Sequence, residues 1–189
     1  MSQDFMKSKL PPIYNQKYLD PVRQKSINVT PEETVRQHLI SYMIENLQVP
    51  KAEINVEQSL TYYDTNSKLR ADIVIYRQFK NIHYPVAVIE CKAPNVSLYD
   101  DKFFKQVLNY ANKICCNYCW LTNGKENFYF YYQENKNRYA VIEEFPKYID
   151  LLQGKYTPIP VEKFLKRIDA STSSTDCKIN ILQSLLNNF

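Results

Sequence analysis

The sequence predicts an α/β fold, a mixed β-sheet flanked by helices. Three observations point there: a capped helical pattern over residues 31–47, three strand-like runs between residues 54 and 91, and a second helical pattern leading into a short apolar strand and a hairpin. With 189 residues, 44% of them hydrophobic and 14% aromatic, the chain can bury a sizeable core and is not of disordered composition.

Residues 1–29 are rich in Pro, Lys and Gln without a sustained period, and are expected to form an extended N-terminal arm. The first helix starts at Thr30-Pro31-Glu32-Glu33, with threonine as N-cap, proline in the first turn and glutamate at the third position. Val35, Leu39, Met43, Ile44 and Leu47 then recur at helical spacing. Ile54–Tyr63 alternates as a strand, and Asp64–Ser67 reads as a turn. Ala71–Tyr76 is a second strand, Gln78–Ile82 a polar turn, and Pro85–Cys91 a third strand, which together predict an antiparallel meander.

Asp100–Cys116 carries apolar residues along one helical face. Tyr118–Leu121 is a short buried strand ended by Thr122-Asn123-Gly124, and Phe128–Gln133 with Tyr139–Glu143 predicts a hairpin. Two short helices are expected near 161–168 and 178–187, split by the polar run Ser171–Asp176. The expected division is a core over 30–145 and a C-terminal helical extension over 146–189.

Composition excludes several functions. Gly124 and Gly154 are the only glycines, so neither form of glycine-rich phosphate loop can be assembled and the chain holds no ATP site. The longest apolar run falls far short of a membrane span, and the N-terminus lacks a signal-peptide stretch, so a cytoplasmic protein is expected. Cys116 and Cys119 form one C-x-x-C, but Cys91 and Cys177 are isolated, and His38 and His83 have no ligand spacing. Reduced thiols packing as small hydrophobes are expected rather than zinc. A net charge of +4 is compatible with nucleic acid without demanding it.

The chemistry concentrates at Glu90-Cys91-Lys92. Residues two apart on a strand point the same way, so Glu90 and Lys92 share a face and Cys91 points to the packing side. If the strands at 71–76 and 85–91 are antiparallel, Asp72 lies beside Glu90, and Asp72, Glu90 and Lys92 meet at one sheet edge. Two carboxylates converging with a backbone carbonyl, that of Cys91, make an all-oxygen site suited to Mg²⁺ or Mn²⁺. A lysine beside such an ion can orient water and offset charge on a phosphate. Gln106 and Tyr110 share a helical face next to this edge. A structural ion pair at a sheet rim is the bland alternative for the charged trio, and the solvated edge of an amphipathic helix is the one for Gln106 and Tyr110.

Asp72, Glu90-x-Lys92 and Gln106-x-x-x-Tyr110, taken in order, resemble the PD-(D/E)xK nuclease superfamily with its restriction-endonuclease-like core. Thr30-Pro31-Glu32-Glu33-x-Val35-Arg36-Gln37, Arg70-Ala71-Asp72-Ile73-Val74, Ile89-Glu90-Cys91-Lys92-Ala93-Pro94 and Leu121-Thr122-Asn123-Gly124 more narrowly resemble the N-terminal nuclease domain of type I restriction enzyme R subunits, over roughly residues 10–135. The resemblance implies an Mg²⁺-dependent endonuclease acting on DNA. Asp72 and Glu90 would bind the metal, Lys92 would serve hydrolysis, and Gln106 and Tyr110 would act in DNA handling and cleavage.

Glu33 matches a position that often assists the metal, though it also has a full structural role as the capping partner of Thr30. Lys68, Arg70, Arg77, Lys80, Lys102 and Lys105 are candidates for a phosphate-binding rim or simply a solvated face. Members of the family continue into a helicase motor, and nothing in this sequence can be that motor. A separate motor or specificity protein, or a homodimer, is therefore an expected partner. The alternative is a catalytically silent module that binds nucleic acid or protein on the same fold.

Overall fold

The computed structural model describes residues 4–169, 179–181 and 183. The N-terminal segment differs from the extended arm expected of it. Phe5, in a 3-10 turn over Phe5–Lys7, and Tyr18 are both buried. Three short antiparallel strands, β1 (Ile13–Tyr14), β2 (Lys17–Leu19) and β3 (Ser26–Asn28), form a small sheet. Strands of two or three residues are too short to show an alternation. Asn15 and Gln16 close the first turn at φ of 49° and 58° without a glycine to announce it.

Helix α1 (Pro31–Glu45) begins as its sequence dictates: the Thr30 hydroxyl accepts the Glu33 N–H at 3.1 Å. It stops short of residue 47, because the Asn46 and Leu47 N–H groups both turn back to the Tyr42 carbonyl. The Tyr18 and Thr34 hydroxyls, 2.8 Å apart, tie the small sheet to this helix.

The meander is antiparallel as expected, formed by β4 (Ile54–Ser59), β5 (Arg70–Phe79) and β6 (Ile82–Cys91). β4 ends early in a 3-10 turn over Leu60–Tyr62, whereas β5 and β6 run past their expected ends. The turn between them shrinks to Lys80–Asn81, with φ of 50° and 62°. Pro85 survives inside β6 because Ile75 pairs with Ala87 while Tyr76 pairs with Pro85, leaving Val86 as a bulge.

Helix α2 (Asp101–Ile114) then crosses over so that β7 (Tyr118–Thr122) lies parallel to β6. β8 (Asn127–Gln133) and β9 (Arg138–Ile142) complete a six-stranded mixed sheet of order β4-β5-β6-β7-β8-β9. Leu39 and Met43 of α1 join Ile73, Ile89 and Trp120 in the core on one face. Phe104 and Leu108 of α2 join Val74, Val88 and Leu121 on the other. Helix α3 (Tyr148–Leu152) was not foreseen, and α4 (Val161–Asp169) matches the helix expected near 161–168. The polar run Ser171–Asp176 lies outside the described residues, as does most of the helix expected near 178–187. Among the described residues no helix is long and apolar enough to cross a membrane.

Candidate active site

β5 starts where β6 ends, and the Ile73–Ile89 rung sets Asp72 beside Glu90. They sit at one end of two neighbouring interior strands, not on an edge strand. The Lys92 ammonium lies 2.6 Å from Glu90 Oε1. Gln106, from α2, donates through Nε2 to the same Glu90 oxygen at 2.6 Å and accepts from Lys92 at Oε1 at 3.2 Å. The Tyr110 hydroxyl, one turn further along α2, accepts from Gln106 Nε2 at 2.8 Å. Tyr110 is buried and does not reach the surface; it orients Gln106 from behind. The Lys92 ammonium also stands 5.0 Å from the centre of the Phe103 ring.

Asp72 has both oxygens occupied. Oδ2 accepts the Cys91 N–H at 2.7 Å, and Oδ1 accepts from Arg36 at 2.7 Å. Arg36 comes from α1, whose first turns face inward with Glu33, Arg36 and Gln37 where later turns present Leu39, Ile40 and Met43. The Glu33 carboxylate lies on Arg23 and Arg36 and accepts from Gln37 at 2.8 Å. The structure thus places Glu33 one guanidinium away from Asp72. Behind it, Asp20 is fully buried and ion-paired with Arg23 at 2.7 Å. Burial opposes the ionisation of Asp20, but hydrogen bonds from Arg23 and Gln37 outweigh it and hold the carboxyl below its ordinary range.

Sequence reasoning assigned no role to Asp20, Arg23, Arg36 or Gln37. Three polar residues at 33, 36 and 37 on the inward face of an amphipathic helix were the signal that could have found part of this network.

The network of Asp20, Glu32, Glu33, Glu57, Asp72 and Glu90 sets six carboxylates against four cations, Arg23, Arg36, Arg70 and Lys92. When all are ionised, the centre is two charges short of neutral. Glu90 Oε2 is buried with no hydrogen-bond partner. Burial first, and the Asp72 charge second, push the Glu90 carboxyl up to about 8 despite Lys92. Burial works against the Lys92 ammonium, but Glu90 outweighs it and raises Lys92 above its ordinary value, so Lys92 stays charged.

A divalent cation fits this donor set. It would supply two positive charges and a partner for the orphaned carboxylate oxygen. Among the described residues no three His, Cys, Asp or Glu side chains form a ready cage.

The Thr122-Asn123-Gly124 turn buttresses the site. The Asn123 side-chain amide donates to the Val96 carbonyl at 2.8 Å, fixing the loop that follows Lys92. Gly124, at φ of 88°, passes so close to the N-terminal segment that a Cβ would meet Met6 Sδ at 2.8 Å. Cys91, Cys116 and Cys119 are buried thiols raised by that burial, and among the described residues no disulfide forms.

The basic candidates are scattered. Arg70 lies 3.3 Å from Glu57, Lys102 2.6 Å from Asp100 and Lys105 2.5 Å from Asp101, while Lys68 is exposed. Arg77 is five residues along β5 from Asp72, roughly 16 Å away at ~3.3 Å per residue, and Lys80 is farther still. A surface groove of about 870 Å³, lined by Tyr42, Glu144, Lys147, Asp150 and Tyr156, shares no residue with this centre.

The family model described as Type I restriction enzyme R protein N terminus (HSDR_N) matches residues 31–146, more than half of the 189-residue chain. The chain belongs to this family. Asp72, Glu90, Lys92, Gln106 and Tyr110 all fall within the part matched to the R protein N terminus, whereas Asp20 and Arg23 lie upstream of it. Among solved structures, the type IIG restriction endonuclease BpuSI aligns with 93% of this chain at a TM-score of 0.41 and 17% identity. The aligned region is 18% of the BpuSI chain, so this R protein N-terminal domain spans less than a fifth of it. Among curated proteins none matches.

Proposed function

We propose that this restriction-enzyme-related domain is a divalent-metal-dependent endonuclease that hydrolyses DNA phosphodiesters. The observation that carries the reading is Glu90 Oε2, a buried carboxylate oxygen without a partner, beside Asp72 and a charged lysine. Asp72, Glu90 and the Cys91 carbonyl are the proposed ligands of Mg²⁺ or Mn²⁺. When bound, such an ion supplies Lewis-acid polarisation of a phosphodiester and lowers the pKa of a bound water.

The residues of the chain do the rest. Lys92, kept as an ammonium, offers its protons to the phosphate oxygens on which charge accumulates. Gln106 holds Lys92 and Glu90 in register, and Tyr110 fixes Gln106. Arg70, Lys68, Lys102 and Lys105 are the proposed contacts to the DNA backbone. A separate motor or specificity protein and a second copy of the chain are further proposed partners. The proposed setting is the cytoplasm.

The test is cleavage of plasmid, linear and single-stranded DNA with Mg²⁺ or Mn²⁺. Asp72→Ala, Glu90→Ala and Lys92→Ala are each expected to lower the rate by roughly 10²-fold or more. Cleavage that survives in all three overturns the proposal. The second reading is a silent nucleic-acid- or protein-binding module, favoured by the ion pairs that Asp72 and Glu90 already make with Arg36 and Lys92. DNA binding without cleavage under any divalent ion would select it.

A further inference from the structure

We infer that Arg36 is a resident counter-ion of the centre, a positioning residue that shares Asp72 with the divalent ion and keeps that ion's affinity low. The inference rests on the metal-dependent reading above. Glu90 and Asp72 are not equivalent as ligands. Glu90 has one oxygen with no partner, whereas both oxygens of Asp72 are taken, one by the Cys91 N–H and one by the Arg36 guanidinium at 2.7 Å. A cation that bridges the two carboxylates must therefore share Asp72 with a fixed positive charge.

Arg36 has little freedom to withdraw. Its side chain is 5% exposed, its Nη1 is held by Glu33, and its Nη2 serves both Glu32 at 3.1 Å and Asp72. Glu33 is itself pinned by Arg23 and Gln37, and both of those are pinned by the buried Asp20. The anchor for a residue at the metal site thus lies in residues 20–23, ahead of the stretch that matches the family model. Two effects of opposite sign follow. The fork, one arm on Glu33 and the other on Asp72, orients Asp72 through a single hydrogen bond, which favours the ion, and its charge repels the ion at short range. In a poorly solvated centre the charge outweighs the orientation, because Coulomb repulsion is weakly screened there.

Substitutions separate the two effects. Arg36→Gln removes the charge and keeps a hydrogen-bond donor, whereas Arg36→Lys keeps the charge and loses the fork. Mn²⁺ binding to the full chain is followed by EPR of the free ion, alongside thermal unfolding with and without Mn²⁺. Arg36→Gln is expected to bind Mn²⁺ at least tenfold more tightly than wild type, and Arg36→Lys to stay within about threefold. Without metal, Arg36→Gln is expected to melt at a lower temperature, and to recover more than wild type does when Mn²⁺ is added.

Unchanged or weaker Mn²⁺ binding in Arg36→Gln overturns the inference, as does equal weakening in both variants. Should Arg36→Gln not fold, Glu32→Gln replaces it, since Glu32 is 45% exposed. Its loss leaves Nη2 to Asp72 alone and is expected to weaken Mn²⁺ several-fold, and no weakening counts against the inference. Wild type that binds no Mn²⁺ overturns the metal reading as well. Binding abolished by Glu90→Gln but indifferent to Arg36 overturns only the role given to Arg36.

Discussion

Burial drives the Glu90 carboxyl from its ordinary 4.5 to about 8, with Asp72 adding to the shift and Lys92 opposing it. The sign of the consequence follows from linkage. Between these two values the native protein holds a proton that the unfolded chain has lost, so this group's contribution to stability is full below about 4.5 and fades as pH rises through about 8. The metal-free protein is therefore expected to lose stability from pH 5 to pH 8, by an amount on the order of a few kcal/mol at most. Glu90→Gln should flatten that slope, and Mg²⁺ should reverse it by favouring the ionised carboxylate. Melting temperatures across this range, in chelator and in Mg²⁺, check all three expectations.

At the scale of elements, the helices and strands that frame the site were legible because each carried a local signal. Thr30-Pro31 with Glu33 announces α1, the alternation and apolar runs announce β4–β6, and the heptad-like spacing of Phe104, Val107, Leu108 and Ala111 announces α2. Asp72, Glu90 and Lys92 could be placed together once β5 and β6 were paired antiparallel. What stayed hidden has physical reasons. The tight turn at Asn15-Gln16 uses positive φ without glycine and went unmarked, whereas the one at Lys80-Asn81 falls within the polar turn expected over Gln78–Ile82. Glu33 read as a capping partner or an aid to the metal and Arg36 received no role, because a buried ion network is invisible until its partners from residues 20, 23 and 72 are known.

α2 also carries a test of how far the site depends on packing. Phe104 is fully buried, with its ring 5.1 Å from that of Phe128 and 5.8 Å from that of Phe130. Phe104→Ala is expected to cost about 3–5 kcal/mol in denaturant unfolding. A cost below about 1 kcal/mol would mean that α2 is not anchored as described.

The whole molecule treats residues 4–29 as structure. Phe5 and Tyr18 are buried and the Asp20–Arg23 pair backs α1, so removing residues 1–29 exposes the α1 face and leaves Glu33 without one of its two cations. Losing two buried aromatic side chains alone predicts a fall in melting temperature on the order of 10 °C, measurable by circular dichroism. An extended arm would predict almost no change.

The same ion network has a consequence for the order of events. The chain as a whole carries a net charge of +4, yet in its centre six carboxyl groups face four cations, an excess of negative charge even while Glu90 holds its proton. Under the proposed function, a polyanion drifting in from solution is attracted at long range and turned away at the last few ångströms. A bound dication would cancel the local negative charge, and only then would the approach meet no repulsion at the end. On this picture the metal is more than a reagent for the bond-breaking step: it decides when the substrate is admitted.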